Sequence, residues 1–287
     1  SCFAQNISKN LKSSGFNYYV TEDAPSSMEL ELAKKLQYGT FSARYGNIYT
    51  ARQALQLFDR AYGNIDTGSH AWKKKSRYID PFRPQTQPNG YTSLESMLMD
   101  REKHLEYVKD VFEKSDWFFF TLGLTEAWRS VEHGYIYPIA PGVSGGEYNK
   151  NKHEFINFSI KQVVEDLRSF IKKIVTVNPK SKFILTVSPV PLVATFENRH
   201  VLVSTTLSKS ILRLAINEVE EKFSNVIYFP SYEIITSPAA GSEYFKDDLR
   251  QVTNLGINHV IRIFKKHFLH AKDTIQSKLQ WIIFLNK

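Results

Sequence analysis

The most constraining feature of this 287-residue chain is an alternation of short apolar runs with longer helical stripes. Such alternation points to a layered α/β fold rather than an all-α or all-β one. The run from Asp116 to Leu122 ends at Gly123, the run Phe183–Val187 is broken by Ser188-Pro189-Val190-Pro191, and Val226–Phe229 is ended by Pro230. Each suits a strand buried on both faces of a parallel sheet. Between them lie helical stripes. Leu94, Met97, Leu98, Arg101, Leu105, Val108, Val111 and Phe112 share one face, and Val163, Val164, Leu167, Phe170, Ile171 and Ile174 another. A third helix is read over Ser208–Phe223 and a last from about Asn254 past Phe264. Thr50 followed by Gln53 forms a capping box that opens a further helix through Leu55, Phe58 and Tyr62.

Right-handed crossovers then give a mainly parallel sheet with helices on both faces, a three-layer α/β/α arrangement. The expectation is four or five parallel strands, with 116–122, 183–188 and 226–229 adjacent in the middle. A first helical stripe carries Phe3, Ile7 and Leu11, and Phe16, Tyr18 and Val20 alternate as a short strand. No strand precedes that first helix, so the first strand of the sheet is expected upstream of Ser1, in a longer parent chain. Residues 64–92 and 129–157 are rich in Pro, Gly and polar groups and read as irregular insertions within one domain spanning 1–270. Residues 271–287 read as a tail or the start of a further region.

Composition narrows the function classes. The net charge of +8 favours anionic partners, but the lysine runs at 73–75, 172–173 and 265–266 are short and scattered, which suits solvated faces. No nucleic-acid-binding signature is present, so no specific nucleic-acid partner is expected. No apolar run approaches the roughly 20 residues of a membrane span. One cysteine, Cys2, permits no internal disulfide. A cytoplasmic location is the expectation. No metal-ligand spacing and no Walker-type phosphate loop is seen, so no cofactor is expected.

Several blocks sit where a strand becomes a loop or helix. They are Ser1-Cys2-Phe3-Ala4, Phe41-Ser-Ala-Arg-Tyr-Gly-Asn-Ile-Tyr-Thr50, Thr121-Leu-Gly-Leu-Thr-Glu-Ala-Trp128, Thr186-Val-Ser-Pro-Val-Pro-Leu192, Tyr228-Phe-Pro-Ser-Tyr-Glu-Ile-Ile235 and Asp247-Asp-Leu-Arg250. In content and order they resemble the GSCFA family, within the SGNH (GDSL-like) ester-hydrolase superfamily. The resemblance runs from residue 1 to about 268. It implies an SGNH-like fold with its active site over the carboxyl ends of the strands, where open parallel sheets bind ligands.

The resemblance also implies roles. Counted in register with Gly-Asp-Ser, the nucleophile slot is Cys2, with Ser1 the rival; a nucleophile on a turn that opens a helix gains from the helix N-terminus. Gly46, Asn47, Gly123, Thr125 and Glu126 are the candidates for the oxyanion and substrate-binding positions; Thr125 stands where the superfamily usually carries Asn. Asp248-Leu-Arg-Gln251, with Gly256 beyond, keeps the spacing of the superfamily's Asp-x-x-His, but Gln251 fills the His slot. Gln takes no proton at neutral pH, so the base must come from elsewhere. His200, after the Ser188–Pro191 block, is preferred, and His259 in the final helix is the fallback. His104 is read as structural.

The implied function is an esterase, or a transferase of an acyl or similar group, acting on a carbohydrate, with a nucleotide-linked donor one option for the activated partner. Trp72, Tyr78, Arg83, Trp128 and Tyr135 in the two insertions suit sugar stacking or an anionic donor, and equally suit loop anchoring. The alternative is a non-catalytic glycan-binding or scaffolding domain on the same frame, as loss of the usual His and Asn would suggest.

Overall fold

The structure is a computed structural model that describes Gln5, Asn10, Lys12 and residues 17–269. Ser1, Cys2, the stripe Phe3, Ile7 and Leu11, Phe16 and the tail from 270 lie outside the described residues.

A parallel sheet forms the centre. Strand β3 (Trp117–Leu122) pairs with β7 (Lys182–Val187), and β7 with β8 (Val226–Tyr228), both parallel, in the order β3-β7-β8. The adjacency expected for the three apolar runs is therefore observed; among the described residues this sheet has three strands. Side chains alternate across it with the two-residue strand period. Phe118, Phe120, Leu122, Phe183, Leu185 and Val187 enter one core. That core is closed by α2 (Ala51–Ala61), α3 (Leu94–Lys114), α4 (Ile160–Val177) and α5 (Val201–Glu220). Phe119 and Ile184 point the other way, into a smaller core with Ile235 of α6 (Ser231–Thr236) and Val260 and Phe264 of α7 (Asn254–Phe264). Helices thus cover both faces.

The helix starts follow their caps. Thr50, Ser93 and Ser159 each accept a hydrogen bond from the backbone amide three residues on, each completed as a capping box. A cap of this kind is worth about 1 kcal/mol. Helix α5 begins seven residues before the expected Ser208, capped by the His200 side chain. Its first turns carry exposed Leu202, Val203 and Leu207, so its apolar stripe is not continuous. Residues 17–20 are not a strand, and α1 (Leu30–Lys35) and α6 are short helices without a readable stripe.

The two insertions are not irregular. In the first, β1 (Trp72–Lys74) and β2 (Arg77–Ile79) form a hairpin turning at Lys75, whose φ is +54°. In the second, β5 (Ile136–Tyr137) and β6 (His153–Asn157) flank β4 (Glu126–Ser130) in an antiparallel sheet of order β5-β4-β6. Strands of two to five residues are too short for periodicity to register. The two insertions pack on each other: Gly146 N–H donates to Lys73 O at 2.7 Å, and a Cβ on Gly146 would lie 2.8 Å from the Trp72 ring. The small sheet lays Ala127, Ile136 and Ile156 on the main core. Its other face carries Glu126, Trp128, Phe155 and Asn157. No described helix is long and apolar enough to cross a membrane.

Candidate functional site

Three of the sequence blocks converge at the carboxyl ends of β3 and β7. Ser188 N–H donates to Leu122 O at 2.9 Å, continuing the parallel ladder one residue past the strands. Gly123 N–H donates to Tyr49 O at 2.9 Å, and Leu124 N–H to the same oxygen at 3.3 Å. Tyr49, just before the cap of α2, therefore lies across the end of β3. A Cβ on Gly123 would stand 3.3 Å from both Tyr49 O and the Tyr49 ring, so this approach favours glycine. Gly46 itself has φ +73°, a left-handed conformation that glycine adopts without strain.

The turn after Gly123 is held from below by α5. Lys209 Nζ donates to Gly123 O at 2.6 Å, and Ser208 Oγ accepts from Thr125 N–H at 3.0 Å. Both side chains are buried, and burial alone pulls the Lys209 ammonium down to about 7. This pair was not anticipated from sequence. Its signal was present: Lys209 sits three and seven residues before Leu212 and Ile216, on the buried stripe of α5, where an unpaired lysine is out of place.

The two oxyanion donors expected in this turn are engaged internally. The Gly123 amide is bonded to Tyr49. The Thr125 hydroxyl, fully buried, donates to Asn157 Oδ1 at 2.7 Å. Asn157 Nδ2 in turn donates to Glu197 Oε1 at 3.0 Å. Glu126 is also buried; burial raises its pKa, and Thr195 Oγ1 donates to it at 2.8 Å. Thr125 and Glu126 therefore fasten the loop after β7 to the small sheet.

Asn47 lines a small cavity with Tyr45, Gln53, Gln56, Arg60 and Phe82, with room for roughly one water. Its Oδ1 is buried without a hydrogen-bond partner, an acceptor left for a hydroxyl or water. Burial lowers Arg60 to about 9, and its guanidinium lies 4.1 Å from the centre of the Phe82 ring. Beneath Gly46 lies a buried ionic network. Asp80 pairs with Arg83 at 3.0 Å and Arg101 at 2.9 Å, and Arg83 with Asp100 at 2.5 Å. Glu22 accepts from Arg44 N–H at 2.7 Å and lies 2.7 Å from His104 Nδ1. Burial would raise Glu22, but His104 and Arg83 bring it down to about 2. Burial, reinforced by Arg83, lowers His104 to about 4, so the ring is neutral at pH 7 and donates Nδ1–H to Glu22. Arg83, read either as gripping an anionic donor or as a loop anchor, and His104, read as structural, both belong to this network.

The candidate acid–base residues are not joined to the three blocks. Asp248 is exposed, and its Oδ1 accepts from the amides of Arg250 at 3.0 Å and Gln251 at 2.8 Å, closing its own turn. His200 is exposed and its Nδ1 accepts from Leu202 N–H at 3.2 Å, which places the ring proton on Nε2. His259 Nδ1 lies 2.5 Å from Tyr244 OH. Among the described residues none of the three hydrogen-bonds to Gly46, Gly123 or Thr125. Of the residues expected to share one cleft with His200 and Asp248, Gly123 and Thr125 stand in a single turn that Tyr49 bonds, whereas Gly46 lies against Arg83; the nucleophile positions, Ser1 and Cys2, lie outside the described residues. Among those residues no group of three or more His, Cys, Asp or Glu is placed to hold a metal ion.

Comparison with known proteins adds a family. The model of the GSCFA family matches residues 1–264. No curated protein matches the chain. A solved structure titled "The structure of a putative platelet activating factor from Streptococcus pneumonia" is similar at 16% identity and a TM-score of 0.28, over 37% of this chain. The match spans half, 50%, of that protein's chain.

Proposed function

Because the chain belongs to the GSCFA family, we propose that it is an ester hydrolase or acyl-type group transferase acting on carbohydrate, of SGNH type with an atypical base. The observation that carries this reading is the meeting of Tyr49, the Gly123–Thr125 turn and Ser188 at the carboxyl ends of β3 and β7. That edge is where an open parallel sheet offers a ligand crevice. In this reading Cys2, or Ser1, gives its proton to the base and attacks the ester carbonyl; the ester C–O bond breaks, the alcohol leaves with that proton, and the acyl group then passes to water or to an acceptor hydroxyl as the enzyme's side chain is reprotonated.

The choice of base in this reading turns on which imidazole nitrogen is free to take a proton. His200 could accept a proton at Nε2 only by giving up its cap to Leu202. His259 Nδ1 lies 2.5 Å from Tyr244 OH, and in the tautomer that donates Nδ1–H to the phenol oxygen its Nε2 carries the lone pair while Tyr244 fixes the ring. His259 therefore replaces His200 as the first choice.

The test is turnover of p-nitrophenyl acetate and of acetylated xylan by the full chain and by Cys2→Ala, Ser1→Ala, His200→Ala and His259→Ala. Loss of a nucleophile or base costs several orders of magnitude. The reading requires that loss for one of Cys2 or Ser1 and for His259, with His200→Ala near the parent. A second reading, a glycan-binding domain without catalysis, is favoured by the engaged donors of Gly123 and Thr125 and by Gln251. Turnover absent from the parent would select it; turnover unchanged in all four variants would overturn the assigned nucleophile and base.

A further inference from the structure

The outward face of the small sheet carries an assembled aromatic cluster. Trp128 of β4 stands opposite Phe155 of β6, with ring centres 5.9 Å apart. Phe196, from the loop after β7, packs on Trp128 at 5.1 Å and on Phe155 at 5.5 Å. Tyr148, from the second insertion, packs on Trp128 at 5.3 Å with its plane turned by 77°. Four rings from three separate segments thus meet around one tryptophan. After these contacts Phe196 is still 66% exposed and Tyr148 51% exposed. A folded chain that gathers large rings and leaves them wet has not used them for its own core.

The groups beside the rings specify the occupant. The same face of β4 and β6 continues with Glu126 and Asn157, and the loop that brings Phe196 also brings Thr195, Glu197 and Arg199. Glu126 is buried and holds Thr195, whereas Asn157 and Glu197 are half-buried and Arg199 is exposed; the three are bonded to one another, and each amide or carboxylate oxygen keeps a second lone pair for a ligand hydroxyl. One arginine faces two carboxylates, so this part of a strongly basic protein offers no excess positive charge to an anion. The alternation of apolar ring faces with paired hydroxyl-bonding groups fits a pyranose, apolar on its C–H face and polar at its rim.

We propose that Trp128, Tyr148, Phe155 and Phe196 form a stacking platform for a neutral polysaccharide chain, with Asn157, Glu197 and Arg199 bonding its hydroxyls. The proposal takes its ligand class from the carbohydrate reading above but does not depend on catalysis. The platform adjoins the loop that follows β7, so a chain laid along it runs toward the carboxyl edge of the parallel sheet.

The experiment titrates the full chain with cellohexaose, xylohexaose, laminarihexaose and N-acetylchitohexaose, following tryptophan fluorescence and calorimetry. At least one hexasaccharide should bind saturably. Phe196→Ala and Tyr148→Ala, exposed positions whose loss leaves the fold intact by circular dichroism, should each weaken it about ten-fold, equivalent to roughly 1.4 kcal/mol. No binding by the parent, or binding unchanged in both variants, overturns the platform. So does self-association of the parent in sedimentation that Phe196→Ala abolishes, since the patch is then a protein interface. Turnover of acetylated xylan with KM unchanged in Phe196→Ala overturns the platform and leaves the enzymatic reading standing. Binding that Phe196→Ala weakens, without turnover, does the reverse.

Discussion

Lys209 Nζ donates to the Gly123 carbonyl at 2.6 Å from a side chain that is 2% exposed, and burial is the only cause acting on its pKa. A helix on one side of the sheet thereby reaches the turn that ends β3. The group is charged at the cost of its hydration and has one carbonyl to offset that cost.

The sign of its pH dependence follows. Burial pulls Lys209 down to about 7 in the fold, against an ordinary 10.5 when unfolded. Below pH 7 both states are protonated and the burial cost is fully present. From about 7 to 10.5 the unfolded state binds the extra proton, so stability rises with pH across that window. Lys209→Met keeps the length and removes the titration. Urea unfolding at pH 6.5 and pH 9 should show the parent gaining several kcal/mol relative to Lys209→Met between the two pH values. Parallel stability curves for the two proteins would mean that Lys209 is not buried as a titrating group.

The Glu22–His104 pair predicts the acid limb. His104 is held neutral, at about 4 against an ordinary 6.5, so its contribution is present above 6.5 and is lost as pH falls toward 4. Glu22, lowered to about 2 from 4.5, contributes above 4.5 and loses that contribution as pH falls toward 2. Acid unfolding of the parent should therefore steepen below pH 6.5 in two successive stages. Glu22→Gln removes the carboxylate between Arg44 and Arg83 and should cost about 3–5 kcal/mol at pH 7 by chemical unfolding. A loss under 1 kcal/mol would show that the guanidiniums find other partners.

Two glycines of the candidate site should respond to alanine for different reasons. Gly46→Ala meets nothing closer than 3.8 Å, so its cost is the left-handed backbone alone, about 1–2 kcal/mol. Gly123→Ala places a Cβ 3.3 Å from the Tyr49 carbonyl and ring, so its cost is displacement of the Gly46–Thr50 segment. Under the proposed function Gly123→Ala should lower kcat more than its thermal shift explains, whereas Gly46→Asn, a residue tolerant of positive φ, should recover stability relative to Gly46→Ala. Equal behaviour of the two alanine variants in both assays would contradict this division.

What the sequence made legible divides by physical cause. The parallel strands at 117–122, 182–187 and 226–228 were readable because strands buried on both faces are continuous apolar runs. Gly256, noted only for its spacing from Asp248, has a packing reason: a Cβ there would lie 3.0 Å from Ile235, Tyr244 and Val252. The insertions were misread because β5 has two residues and β6 five, and because their aromatics bury against one another across two insertions distant in sequence. The Thr125–Asn157–Glu197 relay spans three separate segments, a long-range pairing that one sequence does not encode locally.

The last prediction separates two roles for Asp248. Its spacing to Gln251 suggests the carboxylate that orients a catalytic base. Its geometry shows an exposed side chain whose Oδ1 accepts the amides of Arg250 and Gln251, and those bonds lower its pKa. The turn also holds Leu249 at φ +52°, with Lys246 N–H donating to Gln251 O at 2.8 Å, so the carboxylate has a local structural task. Asp248→Asn retains an acceptor oxygen for both amides but carries no charge. Asp248→Ala removes the acceptor. If the group serves the turn, Asp248→Asn should match the parent in thermal stability and in ester turnover, and Asp248→Ala should lose part of both. If it orients a base instead, the two variants should lose turnover equally while Asp248→Asn keeps full stability. The pH–rate profile decides any intermediate result: a turn residue leaves the profile's midpoints in place, whereas removing a carboxylate from beside a catalytic imidazole lowers the imidazole's pKa and shifts the acid limb downward.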